Sequence, residues 1–299
     1  MFVEAIETAD QYTRPIHFIT RLYNEANILP GAGTLFFVNE EGCAVTCRHV
    51  AEVIIQAERI NQHYRNFSGE RQRAANDPQA NLLYQRLEQK YNLITGTAIA
   101  QKIQFVRCYE GIGEIDITLH HQHDLAILRF KNCKNRQYGN FAKFIPDNEP
   151  IKQGKSLCRL GYPFPEFTNF KYNPSNDDID WTAEGRTQTP SFPIDGIVTR
   201  HIGDEQGQIS GIEMSTPGLR GQSGGPLFDT RGVVFGMQSM TRHLHLGFDM
   251  VNQEVWLDTH RAKVSNHPYL HVGMCVHANI IKQFLRQNNV KYYEASPII

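Results

Sequence analysis

One serine, Ser223, lies in Gly221-Gln222-Ser223-Gly224-Gly225-Pro226, with Gly218 and Gly221 before it and Gly224 and Gly225 after it. A glycine-rich turn between strands would explain this composition structurally. A nucleophile that needs bare backbone around it would explain it chemically. A serine hydroxyl attacks only when a base takes its proton and donors hold the oxyanion that forms. The backbone N–H groups of Gly221 and Ser223 can supply such donors if the loop turns sharply, and glycines permit that turn.

The base calls for a histidine, and the histidine for an acid that orients it. Thirteen histidines are scattered along the chain. His49 stands out in "AVTCRHVAEVI", where a strand ends and a short helical turn begins. Asp124 heads the apolar run "DLAILRF", a position where a carboxylate caps something or serves a site. A metal site is the rival use of this region, through His120, His121, His123 and Asp124. In a strand, however, His121 and His123 share one face while Asp124 takes the other. No HExxH pattern accompanies them. No CxxC pair is present either, so a structural zinc site is not expected. No metal and no cofactor is expected.

Taken together and in this order, the three segments resemble the chymotrypsin-like serine peptidases. "TCRHV" resembles that family's histidine motif, "HDLAIL" its aspartate motif and "GQSGGPLF" its nucleophile motif. The hairpin "GTLFFVNEEGCAVTCRHV" and the segments "LCRLGYPF" and "DGIVTRHIG" resemble the bacterial trypsin-like branch that includes the HtrA-type proteases. The resemblance implies two six-stranded antiparallel β-barrels with the site in the cleft between them. It gives Ser223 as nucleophile, His49 as general base and acid, and Asp124 as the group that fixes the imidazole. It assigns the oxyanion to the N–H groups of Gly221 and Ser223.

Ser239 matches the serine that supports the triad aspartate and begins the substrate-pairing edge. It reads equally well as a buried strand serine satisfied by backbone. Pro217 lies nearest the position of the family's pocket base, and Met240 and Thr241 are expected to line one wall. No acid is visible there to pair a buried Lys or Arg side chain. Cleavage after small or medium apolar residues is therefore expected, unless a loop residue such as Asp249 reaches in. Gln222 stands where secreted trypsin-like enzymes carry an aspartate that pairs with a new N-terminus. Activation by removal of an N-terminal propeptide is therefore not expected.

The elements that must hold these residues read mostly as short strands with regular turn signals, an all-β pattern. The first unit is expected over residues 1–145 and the second over 146–299, forming one peptidase together. Two stretches break the pattern. Residues 56–92 carry a helical insertion in the first unit, with Asp77-Pro78 as a helix start and Leu83, Leu87 and Tyr91 as an apolar stripe. Residues 164–190 are polar and proline-punctuated, and read as a long mobile loop, with Trp181 expected to anchor it on the barrel or, alternatively, to dock a partner. A last helix is expected at 277–287, with Ile280, Ile281, Phe284 and Leu285 on its apolar face.

The chain has 299 residues, 40% of them hydrophobic and 20% charged, with a formal net charge of −1. That balance carries no basic field for nucleic acid or an anionic membrane, and neither is expected as a partner. The start, "MFVEAIETADQYTRPIHF", has no basic and apolar run of a secretory signal. A cytoplasmic protein with six free thiols is expected. Its expected partners are a protein or peptide substrate and, at the insertion, a regulatory protein. The plainer expectation for the insertion is a decoration lying on its own barrel. The alternative function is a catalytically silent peptidase-like fold that binds proteins.

Overall fold

The β-prone runs on either side of Asn39–Gly42 pair as their pattern predicts. In the computed structural model, which describes residues 1–147, 149–203 and 207–296, helix α1 (Val3–Asp10) leads into strands β1 (Thr13–Leu22), β2 (Ile28–Phe37) and β3 (Cys43–Thr46). Asn39 shapes the β2–β3 turn, its Oδ1 accepting the N–H groups of Glu41 and Cys43. Helices α2 (Arg48–Ala74) and α3 (Ala80–Lys90) follow. Strands β4 (Ala98–Phe105), β5 (Tyr109–Gly111), β6 (Glu114–Leu119), β7 (Ala126–Lys131) and β8 (Lys134–Arg136) come next.

Six of these strands form one antiparallel sheet in the order β4-β1-β2-β3-β7-β6. Both of its faces are covered: Phe36, Phe37, Val45, Ile127 and Leu128 are fully buried, although neighbours along a strand point to opposite sides. The sheet curls, but β4 and β6 stay as its two edges. The long helix α2 packs against both. Its Val53 and Ile54 join Ile103 and Phe105 of β4 and Ile115 and Ile117 of β6 on the core. Apolar residues of the insertion thus cover what would be an open seam, which an exposed sheet edge otherwise presents to other chains.

The second half continues with β9 (Lys143–Phe144), β10 (Ser156–Gly161), β11 (Phe170–Asn173), β12 (Asp178–Trp181), β13 (Phe192–Gly203) and β14 (Ile209–Met214). After these come β15 (Pro226–Phe228), β16 (Val234–His245), β17 (Met250–Leu257), β18 (His260–Asn266), β19 (Tyr269–His277), α4 (Ala278–Gln287) and β20 (Tyr293–Glu294). The order β15-β10-β13-β14-β19-β16 closes on itself, because β15 also pairs with β16. With 43% strand and 19% helix, the molecule is mostly β, a closed barrel beside a curled sheet in the chymotrypsin-like arrangement. The two expected barrels therefore differ in closure: the second is a ring, and the first is a curled sheet. Strand β9 already belongs to the second sheet, pairing with β16 and β20.

Each chain end packs across to the other unit. Phe2 lies edge-on to Phe228, and Tyr12 Oη donates to the Gly232 carbonyl. At the other end, Arg129 donates to the Asn288 carbonyl and Asn39 to that of Lys291. Helix α4 appears where its apolar periodicity predicts, and His277 Nδ1 caps it by accepting the Asn279 N–H.

The stretch 164–190 departs from the expected mobile loop. It contains the β11–β12 hairpin, and Phe167, Asn169 and Ile179 within it are buried. Trp181 packs on Phe167, as an anchor would. The hairpin tip docks on the insertion: Asp177 accepts hydrogen bonds from Tyr64 and Tyr172 and pairs with Arg21. The helical insertion also differs in extent, since α2 begins at Arg48 and not at residue 56. Asp77 Oδ1 accepts the Gln79 N–H, and α3 begins at Ala80, three residues after Asp77. Among the described residues no helix is long and apolar enough to cross a membrane.

Candidate active site

Strand β3 ends at Thr46, and Cys47 is the residue from which α2 starts. His49 therefore stands in the first helical turn, where backbone N–H groups lack intrahelical partners. Asp124 supplies one, its Oδ1 accepting the His49 N–H at 3.0 Å. The same carboxylate lies 2.9 Å from His49 Nδ1. An ionised carboxylate only accepts, so this contact puts the ring proton on Nδ1 and leaves Nε2 as the lone-pair nitrogen. Nε2 meets no partner among the described residues, and the side chain is 52% exposed. Arg48 braces the arrangement by donating to the carbonyls of His120 and His121, just ahead of Asp124.

Ser239 Oγ donates to Asp124 Oδ2 at 2.5 Å. Burial pushes the Asp124 carboxyl upward. The hydrogen bonds from the His49 ring, the Ser239 hydroxyl and the His49 N–H outweigh it and hold the group at about 2. In the other direction, the Asp124 hydrogen bond raises the His49 value above the ordinary 6.5, against partial burial.

Ser223 sits in the loop between β14 and β15, and that loop is fastened to the first sheet through Thr34. The Thr34 N–H donates to the Ser223 carbonyl at 3.0 Å, and its hydroxyl to that of Gly221 at 2.7 Å. The glycines make this approach possible. Gly221 has φ +100°, and a Cβ there would lie 2.5 Å from the Tyr162 carbonyl oxygen. A Cβ on Gly224, at φ +90°, would lie 2.0 Å from the Thr34 carbonyl oxygen. Among the described residues the N–H groups of Gly221 and Ser223 meet no acceptor. The Ser223 hydroxyl donates to the Ser239 carbonyl at 3.1 Å, and no hydrogen bond joins it to His49.

Gln222 is fully buried and neutral, its amide bonded to the backbone of Phe192 and Leu219. Beside Ser223 opens a cleft of about 420 Å³. Pro217, Ser239, Met240 and Thr241 all line it, so the residues singled out in the sequence meet in one place. Asp249 does not reach it; its carboxylate is held between His245 and His267. The sequence reading missed Arg220, Gln238, His243 and His271, which also line the cleft. The signal available for them was the alternation of β16 and its register with β19, which sets His243 opposite His271.

The donor atoms of Cys47, His49 and Asp124 lie within 4.8 Å of one another, close enough to hold an ion. The chemistry of the set fits orientation better than ligation. Complete burial drives the Cys47 thiol well above its usual range, and it donates to the Gln238 carbonyl. The run of histidines before Asp124 is also occupied: His120 Nδ1 accepts the N–H groups of Gln122 and His123. Burial brings His120 down to about 4.

With fold and site in view, the comparisons give the class. Residues 33–237 match the model of the trypsin-like peptidase domain, over half of the chain, and the protein belongs to that family. Among solved structures it is similar to the active form of the Rv3671c protease from M. tuberculosis, at 12% identity and a TM-score of 0.48. That match covers 97% of this chain and 86% of the other. No curated protein matches.

Proposed function

We propose that the protein is a serine endopeptidase that works through Ser223, His49 and Asp124 and an acyl-enzyme intermediate. The observation that carries the proposal is Asp124, which holds the ring and the backbone of His49 together while Ser239 holds Asp124. Such an arrangement keeps His49 Nε2 free to take a proton.

Ser223 Oγ attacks the scissile carbonyl carbon as its proton passes to His49 Nε2. The carbonyl oxygen becomes an oxyanion facing the N–H groups of Gly221 and Ser223, the two donors left without acceptors. The imidazolium gives its proton to the leaving amine as the C–N bond breaks. Water, deprotonated by the same imidazole, then releases the acyl group and restores the hydroxyl. Before the first step the Ser223 hydroxyl must turn away from the Ser239 carbonyl. A substrate backbone N–H pairing with that carbonyl would displace it.

The kinship we propose is with the HtrA-type branch, on the support of neutral, backbone-paired Gln222 before the nucleophile. An intracellular setting is supported by six cysteines that are all free thiols. Control by a partner protein at the insertion has less support, because α2 and α3 spend apolar residues on the first sheet.

One observation favours the second reading, a silent fold that binds proteins: the Ser223 hydroxyl rests on Ser239 and not on His49. A fluorophosphonate probe separates the two. Labelling that is lost in Ser223→Ala, together with peptide cleavage lost in the same variant, supports the peptidase. Full labelling in Ser223→Ala, or none in the parent, removes it.

A further inference from the structure

Among the described residues the cleft beside Ser223 is lined by one arginine, two histidines and no acidic group. These are Arg220, His243 and His271. Arg220 is exposed and makes no hydrogen bond or ion pair among the described residues. The imidazoles of His243 and His271 meet through their Nδ1 atoms at 2.5 Å. One of the two nitrogens must carry the proton that the other accepts, so one ring donates to its neighbour.

Behind the wall lies a second cation. Arg159, on β10, is fully buried. Its Nη1 donates to Gln238 Oε1 at 2.7 Å, and its Nη2 to the Thr216 carbonyl at 3.0 Å. Its Nε is buried without a partner. Among the described residues no carboxylate forms an ion pair with it, although buried charges are normally paired. A guanidinium does not lose its proton in a protein, so the charge stays. Gln238, which accepts from it, is itself part of the cleft lining. A single side-chain amide thus stands between Arg159 and the cleft.

A lysine or arginine side chain entering this cleft meets like charge and no acceptor of opposite sign. An apolar side chain covers Arg220 without pairing its charge, which costs desolvation. A carboxylate pairs with it. We propose that the cleft takes an acidic side chain, so that the peptidase cleaves after Glu or Asp. This replaces the apolar preference expected from the absence of an acid near Pro217. The proposal rests on Ser223 being the nucleophile and on the cleft holding the residue before the scissile bond.

The test uses the full chain and three peptidyl phosphonates that differ only in the side chain next to phosphorus: carboxyethyl as in Glu, isobutyl as in Leu and aminobutyl as in Lys. The rate of adduct formation at Ser223 is read by intact mass. The Glu probe is expected to react at least tenfold faster than the Leu probe and a hundredfold faster than the Lys probe. Arg220→Ala should lower the Glu-to-Leu ratio about tenfold, and Arg220→Glu should turn the Glu-to-Lys ratio toward Lys by a hundredfold or more. Equal rates, a fastest Leu or Lys probe, or ratios unmoved by both variants would overturn the acidic preference. A small fluorophosphonate without a side chain keeps the two failures apart. An adduct with it beside a wrong ratio rejects only the acidic preference, whereas no adduct rejects the nucleophile and the preference with it.

Discussion

Asp124 grips His49 at two points, the ring Nδ1 at 2.9 Å and the backbone N–H at 3.0 Å. The second contact ties the acid to the first turn of α2, where the helix dipole favours negative charge. Orientation of the imidazole and capping of the helix are thus one interaction. Withdrawing the Asp124 carboxylate would release the ring and uncover a helix terminus at once.

The pH dependence follows from that contact. A general base works only when neutral, so kcat/KM should rise as pH climbs through the His49 value. Asp124 raises that value above 6.5, so the half-maximal point should lie above 6.5. Asp124→Asn should move it back toward 6.5 and lower kcat by about 10⁴-fold. Stability carries the opposite sign for His49: its contribution is full below 6.5 and is lost as pH rises through the raised value. The contribution of Asp124 is present above 3.8 and is lost as pH falls toward 2. The difference in urea midpoint between the parent and His49→Ala should therefore be widest between 3.8 and 6.5. A difference that is flat from pH 3 to pH 9 would contradict the coupling.

The glycines around the nucleophile answer to backbone and not only to chemistry. An alanine Cβ at Gly224 would press on the Thr34 carbonyl oxygen at 2.0 Å, and backbone cannot swing aside as a side chain can. Gly224→Ala should cost more than about 1 kcal/mol. Gly139, with nothing within 4 Å of its added Cβ, is the control, and its alanine variant should stay within about 0.5 kcal/mol of the parent. Equal denaturation midpoints for the two variants would show that the loop yields freely.

The hairpin at 170–181 should resist early proteolysis, contrary to the sequence expectation of a mobile loop. Asp177 is its fastening, accepting from Tyr64 and Tyr172 and pairing with Arg21. Asp177→Ala should cost roughly 1–2 kcal/mol of local stability. It should also move the first cuts of a limited digest into this hairpin. Cuts there at the same early rate in the parent and the variant would mean that the docking does not hold.

What the sequence made legible was local. The β2–β3 hairpin, the C-terminal helix, and the three segments around His49, Asp124 and Ser223 each carry their pattern within a dozen residues. What it hid depends on partners far along the chain. Tyr64 and Asp177 are bonded although they are 113 positions apart, so the polar stretch 164–190 gave no sign of docking. The start of α2 was hidden for another reason. The string around His49 reads as a short helical turn, and only packing against β4 and β6 shows that Val50, Val53 and Ile54 lie on the core, carried on a long helix over an open seam. Arg159 sits in "LCRLGYP" as one polar residue of an apolar strand, and nothing in the string tells that its charge lacks a counter-ion.

Phe67 decides how far the insertion is structural. It is almost fully buried among Tyr23, Tyr64 and Ile99, with Leu87 and Tyr91 of the apolar stripe packed against the same group. Tyr23 follows β1 and Ile99 lies on β4, so this cluster joins the insertion to the edge of the first sheet. Truncating a fully buried phenylalanine removes its transfer free energy and leaves a cavity, a loss of about 3–5 kcal/mol. Phe67→Ala should lower the thermal midpoint by several degrees at the least. Leu82→Ala, on an exposed position of α3, should barely move it. By the same reasoning, deleting residues 60–90 would strip Tyr64 and Phe67 from the sheet edge and should yield a poorly folded chain. A Phe67→Ala protein as stable as the parent would detach the insertion from the fold and return it to consideration as a separate regulatory arm.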